Sequence, residues 1–377
     1  MSQDVSTILQ FGTGRFLRAF IGVFVQEAND VGGGSHGIVA VQSTPGKRAD
    51  LLNESADGYT IQIRGVVDGE TIDRPVQVKC VERALLAAEE WDAVLEAAAN
   101  PELAFITSNT TEASYALDES DTFDAAPPNS FPAKLALCLR ARFDAGLPGA
   151  TIAPCELVEK NGAVLRALVL EQVAVWNMDA AFVTWLTEEC GWLNTMVDRM
   201  VVPPYDEDPL AKADPLAAIA EPFSQWIIER VPGREVSFLS HPGIQWVDDV
   251  DAMFLRKVRI LNGAHTAMVA KYLPLGFETV QEVMQDADAR DWVRGLIVEE
   301  AIPCIAHRAE NCGTFAFQTL DRLANPFFEH RLKDIAMGHD AKVEIRLKST
   351  FDDYVELYGK EPKRVAEAIA LSAEVNV

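Results

Sequence analysis

The N-terminal stretch constrains the fold more than any other part of this chain. Ile8-Leu9-Gln10-Phe11 is a short apolar run, and Gly12-Thr13-Gly14 follows it directly. Phe16, Phe20, Val23 and Phe24 then recur at helical spacing, which predicts an amphipathic helix. That helix is expected to end near Asn29-Asp30, before Gly32-Gly33-Gly34, and Ile38-Val39-Ala40-Val41 reads as a second buried strand. Strand, glycine turn, helix, strand is the opening unit of a dinucleotide-binding fold. Glycine lets the backbone turn tightly and approach a pyrophosphate, whose charge then meets the helix N-terminus. The match to G-x-G-x-x-G is partial, because Leu17 stands where the third glycine would fall. An ordinary strand-to-helix turn fits the same residues. The candidate cofactor residues here are Gly12, Thr13, Gly14, Arg15 and Phe16.

The segments that follow agree with an α/β domain. Tyr59 to Ile63 alternates like a half-exposed strand, residues 65–71 carry an Asp-Gly hairpin signal, and residues 83–98 read as helix. Leu103 to Thr107 reads as a buried strand that runs into Ser108-Asn109-Thr110-Thr111-Glu112. Ligands in open α/β sheets sit beyond the carboxyl ends of strands, so Asn109 and Thr110 are candidate walls of a nucleotide site. The second strand leads into Gln42-Ser43-Thr44-Pro45-Gly46-Lys47-Arg48, which makes Ser43 a further candidate. An acid commonly meets the cofactor ribose there. None is present and two bases, Lys47 and Arg48, are near, which weakens a preference for NAD; NAD is the expected cofactor, with NADP left open. Residues 134–144, 161–177 and 179–190 are expected as helices, 150–154 as a strand, and the proline- and acid-rich stretch 203–215 as a solvated loop. Gly243 to Val247 is expected to be a strand that closes the first domain. Beyond Asp251 the pattern is helical, near 252–272, 278–286, 288–308, 326–337 and 361–374. The expected organisation is a Rossmann-like NAD(P)-binding domain over residues 1–250 and a mainly α-helical domain over 251–377.

Composition narrows the function. The 377 residues carry 33 basic and 57 acidic side chains, a net charge of −24. Such a surface repels phosphate backbones and anionic lipid, so nucleic-acid and membrane-surface binding are not expected. No apolar run reaches the roughly 18 residues that span a bilayer, and the N-terminus lacks the pattern of a signal peptide. The six cysteines show neither CxxC spacing nor clustering with histidine. A reduced, cytoplasmic protein with no metal site is therefore expected, acting as a monomer or a small homo-oligomer.

The densest chemical signal is Lys257-Val-Arg-Ile-Leu-Asn262-Gly-Ala-His265. At roughly 100° per residue, Asn262 falls about 140° and His265 about 80° from Lys257, so the three can face one pocket. A desolvated lysine can accept a proton from an alcohol, an asparagine amide can steady the oxyanion, and a histidine can hold a substrate hydroxyl. The spacing also fits a plain core stripe of Val258, Leu261, His265 and Met268, with Lys257 solvated beside Arg256 and Arg259.

Further along the chain, several segments carry a family likeness. QFGTGRFLRAF resembles the G-x-G-x-F-x-R cofactor turn of the polyol-specific long-chain dehydrogenases, the mannitol dehydrogenase family. PCELVEKNGAVLRALVLE is similar to the family's C-[DE]-x4-NG segment. LNTMVDRMV, with Asp198 and Arg199, is similar to its MVDRI signature. KVRILNGAH is similar to its K-x4-N-x2-H motif, and NPFFEHRLKDIAMGHDAK to a segment with further substrate contacts. The resemblance implies a metal-independent, NAD(P)-dependent enzyme that oxidises a secondary alcohol by hydride transfer. It gives Lys257 the role of general acid/base, Asn262 that of polarising the reacting oxygen, and His265 that of contacting substrate.

Leu157 stands where mannitol dehydrogenases have a second asparagine. That residue and SNTTEASY are more similar to the tagaturonate reductase branch, which implies an altronate/tagaturonate type of substrate. A neutral polyol such as altritol, arabinitol or mannitol is the alternative. A non-catalytic nucleotide sensor on the same scaffold is a reading of another class, and the intact Lys257, Asn262 and His265 argue against it. Lys342 sits where the family places a substrate-contacting lysine, among basic residues that could meet a carboxylate. Glu156 and Asn161 are candidate hydroxyl ligands, or else a buried structural carboxylate and a helix cap. Longer members carry further C-terminal helices, so the chemistry transfers more firmly than the substrate.

Overall fold

The computed structural model describes residues 5–32, 35–67, 70–236 and 241–375. The chain forms two compact units, Met1–Ile63 with Arg74–Val250, and Arg64–Asp73 with Asp251–Val377.

The first unit contains β1 (Val5–Phe11), β2 (Ser35–Gln42), β3 (Tyr59–Val67), β4 (Glu70–Val78), β5 (Val81–Leu86), β6 (Leu103–Ser108), β7 (Thr151–Pro154) and β8 (Gly191–Trp192), with the tip of the β3–β4 pair clustering in the second. Six of these form one sheet in the order β5-β2-β1-β6-β7-β8. Every pairing in that sheet is parallel. Numbered within the sheet the order is 3-2-1-4-5-6, the doubly wound dinucleotide-binding arrangement. The central strands have helices over both faces and so read as apolar runs, with Ile8, Leu9, Phe11, Ile38 and Phe105 fully buried. Phe11 pairs with Ser108, so the carboxyl ends of β1 and β6 lie side by side where the strand order reverses.

Several expectations are corrected here. Residues 83–98 are not one helix. Val81–Leu86 pairs with β2, and only Trp91–Ala98 is helical. Alanine-rich composition is a weak prior, and the burial of Ala84 and Leu85 in the sheet overrides it. The helix after the glycine turn is two pieces, Arg15–Ala19 and Ile21–Gly32, broken at Phe20 with φ −119° and ψ −80°. Its aromatic ladder survives the break. Phe16 stacks on Phe20, and Phe20 and Phe24 pack on the buried Trp226.

The strand near 244–247 exists, but it does not join the parallel sheet. The chain continues through β9 (Thr195–Asp198), β10 (Val201–Val202), β11 (Ala218–Ala220), β12 (Gln225–Glu229) and β13 (Ile244–Val247). These form a β13-β12-β9 sheet and a β10-β11-β3-β4 sheet. The proline-rich stretch also holds a one-turn helix, Pro209–Ala213. Asp68-Gly69 of the expected hairpin and Gly33-Gly34 of the expected break lie outside the described residues.

The second unit is helical from Asp251 onward. Its longest run is Asp251–Arg256, a π-helical turn Lys257–Asn262, and Gly263–Tyr272. Two further helices have the same construction, with π turns at Leu296–Ala301 and Val343–Lys348, and the Lys257–Asn262 turn packs against both. Helices at Cys312–Leu323 and over residues 339–358 replace the single one expected at 326–337, where only Leu332–Ile335 is helical. Among the described residues no helix is long and apolar enough to cross a membrane, and no group of three or more His, Cys, Asp or Glu could hold a metal ion.

Candidate active site

In the first unit, a cleft of about 430 Å³ opens at the carboxyl ends of β1, β2 and β6. Gly12, Thr13, Gly14, Ser43, Asn109 and Thr110 line it, as the sequence leads one to expect. Arg15 and Phe16 lie on the helix beyond its walls. Gly12 has φ +126°, and a Cβ there would meet Leu17 Cδ1 at 3.0 Å and the Asn109 carbonyl oxygen at 3.3 Å. Only glycine fits that position without strain. Gly14 differs: a Cβ there would meet nothing within 4 Å. Its openness suits the approach of a ligand backbone, and Gly14 directly precedes the helix Arg15–Ala19.

The turn is braced by groups the motif reading did not single out. Gln10 Nε2 donates to the Gly12 carbonyl at 2.8 Å. Arg18, buried, donates to the Thr13 carbonyl at 2.7 Å and to the Leu216 carbonyl at 3.1 Å. Burial lowers its guanidinium pKa to about 10. Arg199 of the MVDRI-like segment donates to the Ala19 carbonyl at 2.7 Å, which the break at Phe20 releases from the helix, and to the Glu221 carbonyl. Gln42 ties the Ser43–Arg48 loop through Thr44, Gly46 and Ala49. Arg48, Asn129 and Lys134 are among the cleft's further polar lining. Asn129 and Lys134 come from a loop and a helix far along the chain, where no local pattern marks them.

Glu156 and Asn161 are fully engaged by their own unit. Oε1 of Glu156 accepts from the Thr110 backbone and Thr110 Oγ1, and Oε2 accepts from Ser108 Oγ and Tyr115 O–H, all at 2.8–3.0 Å. The carboxylate thereby fixes the 108–115 loop that walls the cleft. Burial, with Glu156 beside it, drives the Tyr115 phenol pKa far above its usual value. Asn161 donates to the Pro154 and Glu156 carbonyls and accepts from the Gly162 and Thr195 N–H groups. Glu156 is thus a buried carboxylate within a hydrogen-bond network, whereas Asn161 is not the helix cap: Lys160 holds that position, and Asn161 ties the end of β7 to Thr195.

In the second unit, every residue from Lys257 to Ala270 is buried. That rules out a solvated Lys257, and burial extends around the helix well beyond the Val258, Leu261, His265 and Met268 stripe. The 100° geometry also needs correction. A π turn closes i→i+5 hydrogen bonds, so Asn262 stands one π turn after Lys257 rather than across the helix. Arg259, the charged neighbour, is accounted for by Asp353 at 2.9 Å and Thr350 at 3.0 Å.

Asn262 and His265 each keep a buried polar atom without a hydrogen-bond partner among the described residues: Nδ2 and Nε2 respectively. His265 Nδ1 lies 3.0 Å from the Leu261 carbonyl. A carbonyl only accepts, so Nδ1 carries the proton and Nε2 is left as an acceptor. Burial, then His330 and Arg346, holds this imidazole neutral with its pKa well below the usual value. Lys342 donates to the Ile335 carbonyl at 2.8 Å.

Two family models match the chain in sequence. The mannitol dehydrogenase Rossmann domain covers residues 6–237, and the mannitol dehydrogenase C-terminal domain covers 249–374. The chain belongs to the mannitol dehydrogenase family. It is 38% identical over 386 residues to the altronate oxidoreductase of Halalkalibacterium halodurans, spanning 98% of this chain and 75% of that protein. It is 33% identical to the altronate oxidoreductase of Bacillus subtilis, with 97% and 78% covered. In structure it is similar to Pseudomonas fluorescens mannitol 2-dehydrogenase, solved as a ternary complex with NAD and D-mannitol. That match has a TM-score of 0.83 at 23% identity, covering 99% of this chain and 81% of the other.

Proposed function

We propose that this chain is an NAD-dependent oxidoreductase that interconverts a secondary alcohol of a sugar acid, altronate in type, with the matching ketone. The observation that carries the mechanism is the pair of buried polar atoms, Asn262 Nδ2 and His265 Nε2, that follow buried Lys257 on one helical run. Buried polar groups are ordinarily satisfied, and orphans on one helix call for a ligand.

The cleft fits a dinucleotide by its own features: a positive-φ glycine, an open Gly14, and hydroxyl and amide walls at the strand-order reversal. Bound there, NAD supplies the hydride acceptor. Gly12, Thr13 and Gly14 would hold its pyrophosphate, and Ser43, Asn109 and Thr110 would hold its flanking groups. Lys257 takes the carbinol proton, and Asn262 Nδ2 donates to the oxygen as it gains charge. Such donors, fixed before the reaction, need no reorganisation during it. His265 Nε2 accepts a neighbouring substrate hydroxyl. Arg15 and Phe16 support the turn from the helix, Glu156 and Asn161 position the loop and strand ends, and Lys342 orders the segment around Ile335. The six cysteines are all buried free thiols, which suits a reducing cytoplasm.

The test is turnover followed at the reduced-nicotinamide absorbance, with NAD and NADP separately, on altronate, mannonate, mannitol, altritol and arabinitol. The proposal expects altronate with NAD to be the best pair, unaffected by EDTA. Turnover of neutral polyols alone would reject the substrate class and retain the mechanism.

A further inference from the structure

The loop after β2 presents polar groups that the chain itself does not use. Gln42 pins the loop backbone: Nε2 donates to the Thr44 and Gly46 carbonyls at 2.8 and 2.9 Å, and Oε1 accepts from Ala49 N–H at 2.7 Å. The helix Arg48–Glu54 that follows is tied to β5 by Asn53, which donates to the Ala84 carbonyl and accepts from the Ala84 N–H, both at 2.8 Å. The main chain is therefore held on both sides of Arg48. The side chains of Ser43, Thr44 and Arg48 are exposed, and all three residues line the cleft. Among the described residues, neither of the two hydroxyls nor the Arg48 guanidinium makes a hydrogen bond or an ion pair.

The charge of the cleft runs against that of the chain. The protein has 57 acidic residues, yet no Asp or Glu is among the described residues that line the cleft, whereas Arg48 and Lys134 are. These two cations differ. Lys134 is buried and donates to the Asn129 carbonyl, while Arg48 is exposed and uncommitted. The 2′-hydroxyl of an NAD ribose is ordinarily met by a carboxylate at the end of the second strand. Here the last residue of that strand is Gln42, and its Oε1 already serves Ala49. A phosphate on the same ribose position reverses the requirement, because it brings roughly two negative charges and three acceptor oxygens. An Arg guanidinium matches it in charge and in shape, and two hydroxyls add donors.

We propose that Ser43, Thr44 and Arg48 form a subsite for the 2′-phosphate of NADP(H), so that the cleft takes both nicotinamide dinucleotides. This rests on the dinucleotide reading above and adds to it a specificity residue, Arg48.

The experiment titrates the full chain with NADH and with NADPH by fluorescence, in the wild type, Arg48→Leu and Arg48→Lys, with melting temperature recorded alongside. 2′,5′-ADP and 5′-AMP, which differ only in the 2′-phosphate, are then used to displace bound NADH. The wild type is expected to bind NADPH within about tenfold of NADH, and 2′,5′-ADP should displace NADH at lower concentration than 5′-AMP. Arg48→Leu should raise the ratio of the NADPH Kd to the NADH Kd by at least about tenfold, and Arg48→Lys should raise it less. Added salt should weaken NADPH more than NADH in the wild type, and the two equally in Arg48→Leu. Three results would overturn the assignment while leaving the dinucleotide reading intact: NADPH bound far more weakly than NADH by the wild type, an unchanged ratio in Arg48→Leu, or 5′-AMP as effective as 2′,5′-ADP. Binding of neither dinucleotide would overturn the dinucleotide reading itself, and this subsite with it. Should Arg48→Leu fold poorly, the ratio in Arg48→Lys and the displacement by the two adenosine phosphates decide.

Discussion

Replacing Gly12 by alanine separates a glycine required by the backbone from one required by the ligand. Gly12 sits at φ +126°, where an L side chain is strained by about 1–3 kcal/mol. The added methyl would also lie 3.0 Å from Leu17 Cδ1 and 3.3 Å from the Asn109 oxygen. Leu17 is fully buried, and the Asn109 backbone is tied to the Phe11 carbonyl at 3.1 Å, so neither neighbour yields freely. Strain and contact together come to about 2–3 kcal/mol, which is roughly a 30- to 150-fold change in an equilibrium. It should be divided between the melting transition and NADH affinity, read by thermal unfolding and by fluorescence titration. Gly14→Ala is the control. Its φ of −63° is ordinary and its Cβ space is empty, so its melting temperature should match the wild type. Any loss of NADH affinity in that variant reports the close approach of the ligand backbone. A Gly12→Ala protein that equals the wild type in both measurements would refute the reasoning.

Two further outcomes are expected. Glu156→Leu leaves the Thr110 N–H and three hydroxyls of the 108–115 loop without their acceptor and should cost about 3 kcal/mol or more in denaturant unfolding. Glu156→Gln should cost about 1 kcal/mol, because an amide oxygen can still accept from Thr110 while the two hydroxyls at the other oxygen reorient. Acid should also destabilise the helical unit before its carboxylates titrate fully. Burial lowers the His330 pKa to about 4 and that of His265 well below its usual value, so between pH 6.5 and 4 the unfolded chain binds protons that the folded chain refuses. Stability is then complete above about pH 6.5 and falls with pH, by on the order of 3 kcal/mol from His330 alone at pH 4. His330→Gln should flatten that part of the pH–stability curve, and an unchanged curve would count against the argument.

The sequence made legible what local patterns encode. β1, Gly12-Thr13-Gly14, β2 and β6 are each written in consecutive residues, and they suffice to locate the nucleotide cleft. The short strands between Gly191 and Glu229 were not legible, because two to five residues hold too little periodicity to read. Val81–Leu86 was misread because helix propensity in ERALLAAEE outweighed a sheet position that only tertiary burial supplies. The Lys257, Asn262 and His265 spacing was visible, but its geometry was not. A π turn leaves no residue signature, and on a helix buried on all sides the Val258, Leu261, His265 and Met268 stripe is only one of several buried faces and does not set the orientation. Lys134 and Asn129 reach the cleft through long-range packing, which one sequence does not display.

The central claim is that Lys257 moves the carbinol proton, and Lys257→Met tests it most directly. Turnover of altronate is followed at the reduced-nicotinamide band, with NADH binding and melting temperature measured on the same preparation. The account predicts a loss in kcat of roughly 10²–10⁴-fold, the range a positioned acid/base supplies, with NADH affinity and folding retained. A Lys257→Met protein that binds NADH and oxidises altronate at the wild-type rate would contradict it.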